Sequence, residues 1–193
     1  MGCPAMNDIG PIRNCLPKVT VDTVSSELFR EAMSYVASAV SVVTTDGASG
    51  CAGMTVSSMC SVSDDPPSVL VCLNRVSPVS EIVRTNGTMC VNVLRDNQDY
   101  VSVAFAGDYL DANVDLFVSG DWDRMATGAP AFTEALVNLD CLIEGEMLYG
   151  THHVLIGRIQ NVRINVRGDP LIYSARQYRA LLPSDRAKPD GVG

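Results

Sequence analysis

From Ser25 onward the apolar positions Leu28, Phe29, Ala32, Met33 and Val36 recur at helical spacing, behind two serines either of which could cap the helix. The pattern then changes. VSVVTTDGASGCAGMTV holds two β-branched runs separated by Asp46-Gly47 and a further glycine, which predicts a hairpin. SVLVCL, entered through Pro66-Pro67, reads as a buried strand whose entry is held extended. SPVSEIVRTNG predicts a short helix with Ser77 at its cap, Pro78 at its first position and Gly87 at its end. TMCVNVL is strand-like and DNQDYVSVAFAG helical, while ALVNLDCLIEGEMLYG and THHVLIGRIQNVRINV are long alternating segments. Strands dominate, helices are few and short, and there is no βαβ rhythm. The expected fold is mainly β, a small closed or split antiparallel barrel with a few short helices.

Residues 1–24 carry three prolines and two glycines without a sustained period, so an extended N-terminal arm is expected there, a domain over 25–182, and a flexible tail over 183–193. At 193 residues the chain can bury a full core in one domain. No apolar run reaches the roughly 20 residues of a membrane span, and MGCPAMNDIGPIRNCLPK has neither an apolar signal core nor the Ser/Thr that N-myristoylation requires. The seven cysteines are odd in number, form no CxxC pair and lie mostly in apolar segments, as small buried residues in a reducing cytoplasm would. No metal is expected.

Charge narrows the chemistry. The formal net charge is −8 and no basic stripe is present, so nucleic acid is not an expected partner. A phosphorylated ligand would be held locally by backbone amides, hydroxyls and selected arginines. The absence of GxGxxG removes a Rossmann site, leaving a barrel rim or a subunit interface. AGMTVSSMCSVSDDPPSVLVCLNR, residues 52–75, is where hydroxyls concentrate: Thr55, Ser57, Ser58 and Ser61 could meet a heteroaromatic edge or a phosphate, or merely form the outer face of a strand. Asn74 and Arg75 just before the helix cap at Ser77 suit a phosphate, or simple capping. His152 and His153 point to opposite strand faces, so one at most enters a pocket. Trp122 in GDWDR reads as a loop anchor, and Tyr173, Arg176 and Tyr178 could cover a ligand or close the core.

Taken together, FREAM, SAVSVVTTDG, AGMTVSSMCSVSDDPPSVLVCLNR, CVNVL, FAG, GTHHVLIGRI and PLIY in this order resemble the flavin reductase family of two-component monooxygenase systems, over roughly residues 28–182. The likeness is greatest to the reductase component of 4-hydroxyphenylacetate 3-monooxygenase. That resemblance implies an FMN-binding split barrel, a cytoplasmic homodimer, and reduction of FMN or FAD by NADH or NADPH, with reduced flavin passed to a partner monooxygenase. By the same resemblance, Met54, Thr55, Val56, Ser57 and Ser58 line the ring edge. Cys72, Leu73 and Asn74, with Ser77 and Ser80, hold the ribityl-phosphate side, and Phe105, Ala106 and Gly107 lie against the flavin. His152 then stands where the nicotinamide arrives. Competing expectations are a non-catalytic flavin carrier or sensor, a haem-binding split barrel, and an oxidase of the pyridoxamine-phosphate type.

Overall fold

The computed structural model describes residues 23–107, 116–165 and 168–181. The arm expected over 1–24 lies almost wholly, and the tail over 183–193 entirely, outside these residues. Helix α1 (Ser26–Ser34) starts at Ser25, whose Oγ accepts the Leu28 N–H at 3.2 Å. Strands β1 (Ser38–Ala39), β2 (Ser41–Thr45), β3 (Ala52–Val56), β4 (Cys60–Asp64) and β5 (Pro67–Asn74) follow. Helix α2 (Pro78–Asn86) ends at Gly87, whose φ of 69° is the left-handed conformation that a helix terminus commonly takes and glycine adopts freely. Then come β6 (Thr88–Val93), α3 (Asp99–Ala104), a 3-10 turn at Leu116–Ser119, β7 (Trp122–Arg124), β8 (Pro130–Phe132), β9 (Val137–Tyr149), β10 (His152–Ile164), β11 (Ile172–Ser174) and β12 (Gln177–Arg179).

The main sheet has the order β3-β2-β6-β9-β10-β5-β4, every pairing antiparallel. Its two outermost strands, β3 and β4, are consecutive in the chain and joined by only Ser57, Ser58 and Met59. Laid flat, seven strands would hold those edges about 29 Å apart. Four Cα steps from Val56 to Cys60 reach at most about 14 Å. The sheet must therefore curl until its ends approach, and the seam lies at the Ser57–Met59 connector. This is the expected split barrel, and the topology alone requires its curvature.

Two apolar layers follow from strand alternation. Val43, Val69, Val71, Leu73, Met89, Val91, Cys141 and Leu155 fill the interior, with Val79 and Val83 of α2 packed against them. On the opposite face of β2, Val40 and Val42 join Leu94, Val101, Phe105, Phe132 and Leu171. β2 and β6 are buried on both faces over nearly their whole length, as central strands should be, although Ser41, Thr44, Thr45 and Asn92 among them are polar. Trp122, expected to anchor a loop, sits on the short strand β7 and packs its indole against Phe105, Phe117 and Phe132 with centroids 5.0–5.4 Å apart. β4, within the hydroxyl-rich stretch 52–75, is a strand because β5 pairs with it, although its own residues are mostly exposed.

Candidate functional site

Three groups of residues meet along the seam. The first is a cavity of about 210 Å³ lined by Val40, Thr55, Val56, Ser57, Ser102, Ala106, Tyr173 and Tyr178. α3 forms one wall because β3 holds it: the Thr55 N–H donates to the Phe105 carbonyl at 2.9 Å and Thr55 Oγ1 to the Ser102 carbonyl at 2.7 Å. Gly53 permits this approach, since a Cβ there would stand 2.7 Å from the Phe105 ring. Opposite, the β11–β12 hairpin presents Tyr173 and Tyr178 edge to face, centroids 5.4 Å apart. No lining residue of this cavity carries a formal charge.

The second group is the connector itself. Ser58 Oγ donates to the Cys72 carbonyl at 2.9 Å and accepts the Cys72 N–H at 3.3 Å, so one hydroxyl clasps the seam to β5. Cys72 lies half-buried on the outer face of β5, because Val71 and Leu73 point inward. Burial, and secondly the Cys60 thiol nearby, push its thiol up, so it meets a ligand as a neutral group. Ser57 is exposed at the mouth of the cavity. Ser61 stands away on β4, opposite Val69.

The third group gathers around the start of α2. Ser77 occupies the cap position with its side chain 4% exposed, yet its hydroxyl accepts no helix N–H. Ser80, one turn on, is 1% exposed. Neither Oγ has a hydrogen-bond partner. Asn74 Oδ1 accepts the Val76 N–H at 3.2 Å, which turns the chain into the helix. Arg75, exposed, makes no ion pair among the described residues. Two carboxylates share one guanidinium: Arg84 lies 2.5 Å from Glu81 and 2.6 Å from Glu146. An anion approaching this helix terminus would find a positive dipole end, a free guanidinium and two unpartnered buried hydroxyls.

His152 faces Asn74 directly across the β10–β5 pairing, which sets their Cβ atoms about 5 Å apart. It is exposed, with Nδ1 2.9 Å from Thr151 Oγ1. His153 turns to the interior side, where its Nδ1 lies 3.0 Å from Glu146 Oε1. The alternation expected of the two histidines is what the strand imposes.

The expected residues therefore divide by what remains available on them. Leu73 and Phe105 are 0% and 1% exposed core side chains, so only their backbones face the site. Met54 and Val56 pack on the interior cluster. The hydroxyls of Thr55 and Ser58 are committed to protein partners, whereas those of Ser77 and Ser80 are not. Ala106 lines the cavity and Gly107 is half-buried beside it. Ser102 was absent from the expected set; its position three residues before Phe105 on the same helical segment was the signal for it. Among the described residues no group of three or more His, Cys, Asp or Glu side chains could hold a metal ion.

Comparison with known proteins accords with this geometry. Residues 33–182 match the family described as flavin reductase like domain. FMN reductase (NADH) RutF of Methylorubrum extorquens strain DM4 is 45% identical over 165 residues, 85% of this chain and 79% of that protein. Among solved structures, BorF, the flavin reductase component of a bacterial two-component tryptophan halogenase, superposes with a TM-score of 0.76 at 32% identity, covering 83% of this chain and all of that one. The NADH:FAD oxidoreductase SgcE6 of Streptomyces globisporus, in complex with NAD and FAD fragments, gives a TM-score of 0.76 at 27% identity over 86% of this chain and 99% of its own. With the seam, the cavity and the helix terminus in this arrangement, the chain belongs to the flavin reductase family.

Proposed function

We propose that the protein is an NADH-dependent flavin reductase, acting on FMN with FAD as a second acceptor, and that it supplies reduced flavin to a partner monooxygenase. The observation that carries this reading is the pair of buried, unpartnered hydroxyls of Ser77 and Ser80 at the start of α2, beside Arg75 and one short turn from Asn74. Burying a hydroxyl without a partner costs about 1–3 kcal/mol, so two at one helix terminus fit a phosphate that is received there. When bound, the flavin supplies the ring that accepts a hydride from NADH.

The chain's own contribution is positioning. Ser77, Ser80, Asn74 and Arg75 fix the phosphate end. Cys72 and the backbone of Leu73 border the ribityl path, and the Ser58 clasp keeps the connector in register with them. Met54 to Ser58 form the wall along the ring edge, in which Thr55 and Ser58 act by shaping the backbone. Phe105, locked in the aromatic cluster, holds Ala106 and Gly107 against the ring. His152 orients the nicotinamide from β10. A hydride needs no proton relay, so His152 serves as a positioner.

Residues 25–182 act as one flavin-binding domain, and the protein works as a homodimer. In support of the dimer, α1 keeps its helical period but buries none of it: Leu28 and Phe29 are both 58% exposed, with Met33 beside them. A cytoplasmic location suits NADH supply, and no described helix is long and apolar enough to cross a membrane. The deciding experiment is steady-state oxidation of NADH and NADPH with FMN, FAD and riboflavin in turn. Rapid anaerobic bleaching of FMN by NADH is expected. Flavin binding without bleaching would instead identify a carrier.

A further inference from the structure

The polar wall of the cavity is a pair of hydroxyls that the phosphate and nicotinamide contacts leave unused. Ser102 Oγ and Tyr178 OH lie 2.9 Å apart, and either can be the donor. They come from distant parts of the chain, α3 and β12, and each is held from behind. Ser102 is fully buried and its carbonyl accepts from Thr55 Oγ1. Tyr178 packs its ring on Tyr173, and β11 ties that hairpin to β1 through Ser38 and Tyr173.

Two hydroxyls carry two protons, and their mutual bond uses one. The pair therefore presents one donor and retains lone pairs as acceptors. The rest of the lining offers aliphatic and aromatic surface with Thr55 and Ser57 on the β3 side. The matching ligand edge is neutral, flat, and sets an acceptor beside a donor. A phosphate matches neither the neutrality nor the apolar surround. The imide edge of a flavin, carbonyl beside ring N–H, matches both.

We propose that Ser102 and Tyr178 are positioning residues for the imide edge of the flavin ring, with the Tyr178 hydroxyl meeting that edge and Ser102, buried behind it, fixing the direction of the hydroxyl. The inference rests on the flavin reductase reading and adds a determinant of ring recognition opposite the β3 wall. It gives the β11–β12 hairpin a function: the hairpin closes the cavity and carries one half of the recognition pair. No bond is made or broken by these residues.

The test uses FMN and its N3-methyl derivative, in which the imide proton is replaced by a methyl group. Dissociation constants come from quenching of flavin fluorescence, and NADH kinetics are measured on the same samples. The wild-type protein is expected to bind FMN at least about tenfold more tightly than N3-methyl FMN, the worth of one directed hydrogen bond. Tyr178→Phe and Ser102→Ala are each expected to weaken FMN by about tenfold, to bring the N3-methyl ratio close to one, and to leave the KM for NADH unchanged. Thermal melts of both variants report folding independently. Overturning results are an N3-methyl ratio that persists in both variants, or a rise confined to the KM for NADH, which would assign the cavity to the nicotinamide. Wild-type protein that binds no FMN at all would overturn the flavin reductase reading itself, and this inference with it; FMN binding without discrimination overturns the inference alone.

Discussion

Replacing Ser77 by Ala should stabilise the ligand-free protein and weaken FMN, two effects of opposite sign from one deleted oxygen. A serine at a helix cap usually contributes about 1 kcal/mol because its Oγ accepts a backbone N–H. Ser77 makes no such bond, so that loss does not arise. Its hydroxyl is instead buried at 4% exposure without a partner, and removing an unsatisfied buried hydroxyl recovers part of the roughly 1–3 kcal/mol it costs. Allowing for water that enters when the site is empty, the gain should be between zero and about 1 kcal/mol, a rise in Tm of up to about 4 °C for a domain of this size. With FMN present the balance reverses. A hydrogen bond to a phosphate oxygen contributes about 1.5–3 kcal/mol, so the FMN Kd should rise by about 10- to 150-fold. Riboflavin, which lacks the phosphate, should bind both proteins equally. Ser80→Ala should repeat the pattern, and the double variant should fall short of additivity because both hydroxyls address one group. Thermal melts with and without FMN, and fluorescence titrations of FMN and riboflavin, measure all of this. A variant with a lower ligand-free Tm and unchanged FMN affinity would show that the hydroxyl is structural and sink the phosphate assignment.

Three further outcomes follow from other parts of the site. His152→Ala should raise the KM for NADH more than it raises the Kd for FMN, because His152 stands exposed opposite Asn74 and away from the cavity lining; unchanged nicotinamide kinetics would remove it from the site. Gly53→Ala should destabilise the protein by about 1–3 kcal/mol in urea titrations, since its Cβ would meet a Phe105 ring that its aromatic neighbours hold in place, and a neutral result would show that α3 yields freely. Burial, and secondarily Asp140, push the Cys141 thiol up to about 12 from 9.0, and Cys90 is raised further chiefly by burial. Between pH 9 and 12 the unfolded chain loses these protons while the folded chain keeps them. Stability should therefore be fully present below pH 9 and fall by about 1.4 kcal/mol per pH unit for each thiol above it. Urea midpoints at pH 8 and 10 should show a smaller decline in Cys141→Ala than in the wild type, and an identical decline would refute the burial argument.

What could be read from the sequence was whatever a segment decides by itself. Asp46-Gly47 between β-branched runs, Pro78 opening α2 and Gly87 closing it are local rules, and each element stands where those rules put it. The alternation along β9 and β10 is equally local, interrupted only where register shifts at Ile156/Gly157 and Ile159/Asn161 break the period. β4 escaped because Cys60, Ser61, Val62, Ser63 and Asp64 are nearly all exposed, and only pairing with β5 makes them a strand. Partnership was invisible for the same reason. Thr55, Ser58 and Ser77 are three similar hydroxyls in one stretch, yet two are committed to carbonyls 47 and 14 residues distant and the third is not. Only folding sorts them. Ser102 and Tyr178, 76 positions apart, meet because β3 holds α3 while β1 holds the C-terminal hairpin.

The seam explains why the site lies where it does. A fully closed barrel would leave β3 and β4 no unpaired edges, and its backbone donors would all be committed to neighbouring strands. Here the sheet curls but does not pair β3 with β4, so the free edge of β3 is met by the carbonyl end of α3 instead, through the Thr55 N–H to Phe105 bond. A helix end covers less of an edge than a strand does, and the remainder of that edge opens into the cavity. Ser58 then prevents the gap from widening by bonding both backbone groups of Cys72. The opening is thus bounded on one side by a helix and on the other by a hydroxyl clasp. An acidic chain with a formal charge of −8 can receive an anionic ligand at such a place, because the attraction comes from a helix terminus, one unpaired arginine and oriented hydroxyls, whose fields act at contact distance.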